Sequence, residues 1–307
     1  MSIALLEEQK NSWPQLSKGY EGLQSVRVRD LVCDGFSVRL QFNPARIVSS
    51  DAKVDARSIK ERKCFLCIEN LPAEQKGIVY REKFLVLCNP APIFERHYTV
   101  SCVTHIPQEL AHSIGTLLLL AKDLSPDFAV FYNGPKCGAS APDHLHFQAS
   151  PAGTIPVEID SRMSDRRSLL KKGGSVSYWT LRNYGREVLL VESNDPKELE
   201  SALTGILKTL KTILSVTDEP MVNVICTYDE NLWRVIIFPR RKHRPDVYFL
   251  EGEAKVLVSP ASVDIGGLVV TPMEKDFLGI APLLIEDIFR EVSIGRDVME
   301  KLSSSLS

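Results

Sequence analysis

The segment His144-Leu-His-Phe-Gln148 places two of the chain's six histidines one residue apart and follows them with a glutamine. On a β-strand successive side chains alternate between faces, so His144, His146 and Gln148 would share one face, with Leu145, Phe147 and Ala149 on the other. A neutral imidazole offers a free ring nitrogen as a nucleophile at near-neutral pH. A glutamine amide beside it can donate to a phosphoryl oxygen without protonating a leaving group. Just upstream, Gly138-Ala-Ser140 is made of small residues that let backbone N–H groups approach an anion. An isolated His-x-His also suits the solvent face of an edge strand, and glycine loops are common turns. Their combination is what points to phosphate chemistry.

Two further clusters carry chemistry. Cys64-Phe-Leu-Cys67 offers two thiolates on one turn, as a tetrahedral Zn²⁺ requires, and His97, His105, His112 and His144 follow as candidates for the other two ligands. A redox role would need thioredoxin-like βαβ surroundings, which the pattern lacks, and two buried thiols are the plainer alternative. Arg240-Arg241-Lys242-His243-Arg244 is either a solvated positive loop or an anion site. The formal net charge is −2, so nothing pulls the whole molecule toward nucleic acid or an anionic membrane, and any anion site must be local.

The elements that would position these groups are legible in outline. Residues 2–12 have the spacing of a short amphipathic helix, 26–42 alternate as strands, and 43–62 read as a long polar loop. Strands are expected at 84–88, 98–103 and 127–132, with a helix over 108–124 ending near Pro126. Residues 160–185 are polar, with a turn at 171–174. A helix over 195–216 has Asp195 as N-cap and Pro196 at its first position. VNVICTY and LWRVIIFP are strands, and the last 30 residues read as a helix and a frayed serine-rich tail. Cys88 and His105 are 17 residues apart across a strand-turn-strand, as are Cys226 and His243, which suggests a duplicated unit. Seven cysteines without disulfide-framework spacing fit a reducing compartment, so a cytoplasmic location is expected. The N-terminus lacks the basic region of a secretory signal, and no apolar run approaches the roughly 20 residues of a membrane helix.

CFLCIENLP, the strand-turn-strand ending at His105, and GASAPDHLHFQ together resemble the galactose-1-phosphate uridylyltransferase branch of the histidine-triad superfamily. The form HLHFQA is similar to the GDP-hexose phosphorylases in particular, and the diadenosine tetraphosphate phosphorylases are a further cousin. The resemblance implies an α+β fold of two histidine-triad-like half-domains with antiparallel sheets and packed helices. Residues 1–185 would be the catalytic half with the zinc site and His-x-His-x-Gln, and 186–307 a degenerate half that contributes substrate binding. It implies a structural Zn²⁺ on Cys64, Cys67, His105 and His144, with His146 as nucleophile and Gln148 bonded to the reacting phosphate. Asn133, Gly138 and Ser140 would form the phosphate loop, Arg46 would contact phosphate, and Phe65 would lie near the base. Arg240, Arg241 and His243 are the second half's candidate anion-binding residues, with His243 the vestige of His105.

The implied activity is that of a nucleotidyltransferase or phosphorylase working through a covalent nucleotidyl-histidine. Its substrate would be a nucleotide sugar, as in a GDP-hexose phosphorylase, or a dinucleotide. Phosphate or a sugar phosphate would be the acceptor. Alternatives are a hexose-1-phosphate uridylyltransferase, a dinucleoside polyphosphate phosphorylase, and a non-catalytic nucleotide-binding module. The resemblance also implies a homodimer, and neither nucleic acid nor membrane is expected as a partner. Leu145 stands where the uridylyltransferases have proline, and the serine-to-histidine spacing is one residue longer, which favours a phosphorylase.

Overall fold

The computed structural model describes residues 2–47 and 55–306. Its strands are β1 (Arg27–Val32), β2 (Ser37–Phe42), β3 (Gly77–Tyr80), β4 (Phe84–Cys88), β5 (Tyr98–Cys102), β6 (Phe128–Asn133), β7 (His146–Pro151), β8 (Arg167–Gly173), β9 (Val176–Leu181), β10 (Leu189–Ser193), β11 (Val222–Asp229), β12 (Leu232–Pro239) and β13 (Leu268–Thr271). Ten of them form one sheet in the order β3-β4-β5-β7-β6-β11-β12-β10-β9-β8, antiparallel throughout. The hairpin β1–β2 forms a second, small sheet in which β13 runs parallel to β2.

Chain order and sheet order together show a repeat. Three strands (β3, β4, β5), the helix Ile114–Asp123 and two strands (β6, β7) are followed by three strands (β8, β9, β10), the helix Pro196–Ile213 and two strands (β11, β12). The two runs meet at the β6–β11 pair, where Asn133 lies opposite Asn223. This is the α+β architecture of two half-domains expected from the sequence. The match between Cys88–His105 and Cys226–His243 is nevertheless not the repeat. By topology β11–β12 corresponds to β6–β7, not to β4–β5, so His243 is not a relic of His105. A boundary at 185/186 falls between β9 and β10, which are hydrogen-bonded neighbours.

Each run forms for visible reasons. In the helix Pro196–Ile213, Asp195 accepts from the backbone N–H groups of Lys197 (2.8 Å) and Glu198 (3.1 Å), capping two otherwise orphaned donors. Leu199, Leu203, Ile206, Leu207 and Leu210 then recur on one buried face, each worth about 1.5–3 kcal/mol of transfer free energy. That face, the helix Ile114–Asp123 and the N-terminal helix Ser2–Ser12 cover one side of the large sheet with a core spanning both runs. On the other side, the small sheet and the helix Pro282–Val292 bury Ile225, Ile236 and Phe238 of the second run.

Several expectations need correction. Residues 43–62 are not all loop, since Ala56–Glu61 is helical under an Asp55 cap; residues 48–54 lie outside the described residues. The helix expected from 108 starts only at Ile114. Within the polar stretch 160–185 lies the hairpin β8–β9, its turn at Gly174 with a positive φ of 57°. Ser303 and Ser304 close the helix Arg296–Ser304 instead of fraying, and Leu302 and Leu306 are buried.

Candidate active site

His146 is the first residue of β7, and His144 lies on the turn before it, so the two do not share a strand face as the alternation suggested. The turn separates their surroundings. His144 faces the cysteines, while His146 opens onto a cavity that it shares with Gln148.

The backbone of His146 is held on both sides by one side chain. Gln108 accepts from the His146 N–H at 2.7 Å and donates to the His146 carbonyl at 3.0 Å and the Asn133 carbonyl at 2.9 Å. The imidazole is oriented by Nδ1, which lies 2.8 Å from the His144 carbonyl oxygen. A carbonyl only accepts, so Nδ1 carries the proton and Nε2 keeps its lone pair. Among the described residues Nε2 has no hydrogen-bond partner. Burial pushes the imidazole down to about 4, which favours its neutral form. Two residues on, Gln148 Oε1 lies 2.9 Å from His97 Nε2.

Cys64, Cys67, His105 and His144 offer four ligand atoms within 4.8 Å of one another. Cys64 Sγ lies 3.3 Å and Cys67 Sγ 3.6 Å from His144 Nδ1, and Cys67 Sγ lies 3.1 Å from His105 Nδ1. His144 Nε2 donates to the Cys102 carbonyl at 2.7 Å, which fixes the tautomer that leaves Nδ1 free to ligate. Two sulfurs and two imidazole nitrogens, one anchored from behind, fit a tetrahedral divalent metal. His112 and His97, the other candidates, lie outside this cluster.

The cavity is about 470 Å³, large enough for a nucleotide. Its lining includes the apolar side chains of Trp13, Phe65, Leu66, Leu71 and Pro72, with Asn89 and Gln75 among its polar groups. It also includes the polar and charged Arg46, His243, Arg244, Ser259 and Asp264. Asn133, Gly138 and Ser140 line it together with His146 and Gln148. Gly138 has φ +113°, and a Cβ there would stand 2.5 Å from Ala261 Cβ, so the loop has room only for glycine. Arg46 donates to the Ala91 carbonyl; burial pushes its guanidinium down to about 10 and pushes the nearby Asp264 carboxyl up to about 6.

Two candidate residues stand elsewhere. Arg240 is fully buried, and its five N–H groups go to the carbonyls of Val292, Pro260, Lys242 and His243 and to Asn223 Oδ1. With no donor left it is a structural clamp and cannot bind an anion. Arg241 points away to the carbonyls of Glu291 and Arg290. Of the basic run, only His243 and Arg244 line the cavity. Sequence reasoning missed Gln108, Arg62, Asp264 and the role of Arg244. Arg62 pairs with Asp143 at 2.6 Å and sits 5.0 Å over the Phe65 ring, tying the turn before β7 to the cysteine turn. Nothing local marks Gln108, whose significance comes only from where β7 begins.

A family model described as a domain of unknown function (DUF4922) matches residues 5–151. The comparison with curated proteins returns no match. Among solved structures, yeast Ap4A phosphorylase Apa2 matches at a TM-score of 0.61 and 14% identity over 92% of this chain and 97% of that one. The fold is that of Ap4A phosphorylase. Apa2 in complex with AMP matches at a TM-score of 0.58 and 15% identity over 92% and 96% of the two chains. Apa2 in complex with Ap4A gives 0.58 and 12% over 92% and 97%. The Apa2 likeness runs through both halves and the linking strands. At these identities it concerns the fold, and the argument for activity returns to the side chains.

Proposed function

We propose that this chain is a nucleotidyltransferase that cleaves a phosphoanhydride in a nucleotide sugar or dinucleotide by way of a nucleotidyl group on His146. The observation that carries the reading is the His146 imidazole. Its Nδ1–H is committed to a backbone carbonyl, and its Nε2 is available at a cavity large enough for a nucleotide. Nε2 attacks the α-phosphorus, a P–N bond forms, and the anhydride P–O bond breaks with release of a sugar phosphate or nucleoside polyphosphate. An oxygen of inorganic phosphate then attacks the same phosphorus, the P–N bond breaks, and a nucleoside diphosphate leaves. Throughout, the proton stays on Nδ1, hydrogen-bonded to the His144 carbonyl, and the Gln148 amide donates to a phosphoryl oxygen.

Two readings of the substrate each have support. HLHFQA resembles the GDP-hexose phosphorylases, while the fold matches an enzyme whose solved complexes contain AMP and Ap4A. The guanidinium groups of Arg46 and Arg244 lining the cavity suit a polyanionic leaving group or acceptor. Incubation with labelled GDP-hexoses, UDP-sugars and Ap4A, with and without phosphate, should trap an acid-labile, alkali-stable adduct from one class, and phosphate should discharge it. Absence of an adduct from every nucleotide, or an undiminished adduct in His146→Ala, would overturn the reading and favour a binding module.

We propose further that Cys64, Cys67, His105 and His144 hold a structural Zn²⁺, which would staple the cysteine turn to the start of β7. The purified chain should carry about one equivalent of zinc, lost together with stability in Cys67→Ser. We place the division of labour between the halves near the start of β8, the first half supplying nucleophile and metal and the second Arg244 and Asp264. No helix among the described residues is long and apolar enough to cross a membrane.

A further inference from the structure

Gln148 has a neutral amide with one accepting and two donating ends, and which end faces the cavity decides whether it attracts or repels a phosphate. Nothing in β7 itself settles that orientation. The partner that does is His97, at the end of the loop Asn89-Pro-Ala-Pro-Ile-Phe-Glu-Arg96 joining β4 to β5.

His97 is completely buried, with the Phe94 ring edge-on at 5.6 Å and the Phe131 ring at 6.0 Å. Its backbone is fixed from the N-terminal region: the Tyr20 hydroxyl accepts from the His97 N–H and donates to the His97 carbonyl, both at 3.2 Å. Its ring is fixed by its own loop, since the Ile93 N–H donates to Nδ1 at 3.2 Å. A backbone amide can only donate, so Nδ1 is an acceptor and the proton of the neutral imidazole sits on Nε2. Burial first, and the Arg46 charge next, push the ring down to about 3, so it stays neutral. Nε2–H therefore donates to Gln148 Oε1 at 2.9 Å. The flipped amide would set its NH₂ against that N–H, leaving two buried donors facing each other without an acceptor.

We propose that His97 is a positioning residue which, by holding Gln148 Oε1, commits the Gln148 NH₂ to the cavity as a pure donor to the transferring phosphoryl group. The inference rests on the nucleotidyl-transfer reading above. The loop amide of Ile93 fixes the His97 tautomer, the tautomer fixes the glutamine, and the glutamine meets the substrate. The phosphate-facing group thus takes its polarity from a backbone amide of the β4–β5 loop.

The test is the rate of His146 adduct formation in single turnovers with labelled Ap4A and labelled GDP-glucose, run in parallel on the unaltered chain, His97→Phe, His97→Gln, Gln148→Ala and His97→Phe/Gln148→Ala. His97→Phe should slow adduct formation on the order of 10- to 100-fold, as loss of a supporting hydrogen bond does elsewhere, with little change in half-saturation. His97→Gln, which can still present an N–H to Gln148, should recover most of the rate. In the Gln148→Ala background His97→Phe should have no further effect, because its only route to the phosphate is gone. Equal slowing by His97→Phe with and without Gln148 would overturn the proposal, as would a normal rate in a folded His97→Phe. Should His97→Phe fail to fold, the recovery in His97→Gln decides, and a His97→Gln as slow as Gln148→Ala overturns the coupling. An unaltered chain that forms no adduct overturns the transfer reading itself, an outcome separate from a loaded chain indifferent to residue 97.

Discussion

β7 and β12 hold corresponding places in the two runs, and on the same face of the large sheet they present opposite chemistry. Phe147 and Ala149 of β7, like Val235 and Ile237 of β12, enter the core beneath the long helices. On the other face β12 turns Ile236 and Phe238 into a second core under β2 and the helix Pro282–Val292, while β7 turns His146 and Gln148 into the cavity. The scaffold is repeated and the cover is not. Where the small sheet and its helices lie on the large sheet, apolar side chains fill the space; at β7 the same strand position holds polar groups that line a cavity. The candidate site lies where β7 is left without the apolar cover that β6 and β12 keep, which costs burial that β12 retains.

The contrast can be broken first at its strongest point. His146→Ala should lower adduct formation by more than about 10⁴-fold while leaving the melting temperature nearly unchanged, read by mass and calorimetry. Its counterpart Phe238→Ala should do the reverse, with a loss of about 3–5 kcal/mol in urea unfolding. Nucleotide loading per folded molecule should stay intact. Gln148→Ala should slow transfer on the order of 100-fold at little cost in stability. Arg244→Ala should raise the half-saturating phosphate concentration on the order of 10-fold, as loss of one charged contact does. Arg241→Ala, its neighbour in the same basic run, should change neither binding nor stability by more than about 0.5 kcal/mol, because its side chain meets only surface carbonyls. Equal responses at 241 and 244 would erase the distinction drawn between the two residues.

What was legible in the sequence is what local chemistry decides. β4, β11, β12 and the helix capped by Asp195 are written in alternation, apolar runs and a cap-plus-proline start. The Cys-x-x-Cys and His-x-His spacings marked two clusters that the fold brings close together. The hairpin β8–β9 was missed because it lies at the sheet's end, with Lys171 and Lys172 on a strand that is exposed along most of its length. β13 was missed because four residues paired in parallel with β2 leave no pattern of their own. Arg240 was misread because a charge run looks the same whether solvated or buried; only the convergence of backbone carbonyls from Val292 and Pro260 distinguishes the two. The roles of Gln108 and His97 depend on contacts 38 and 51 residues away, beyond any local signal.

The parallel pairing of β13 with β2 sets an order of events during biosynthesis. The hairpin β1–β2, made early, gains its third strand only when residues 268–271 emerge, some 230 residues after Phe42. At ribosomal rates of about 5–20 residues per second that is a wait of roughly 10–45 s. Arg46 lies four residues after β2, and Asp264 and Val270 belong to the late segment, so these cavity-lining groups come together only after residue 270 has been made. A nascent chain would carry His146 long before the cavity around it is complete.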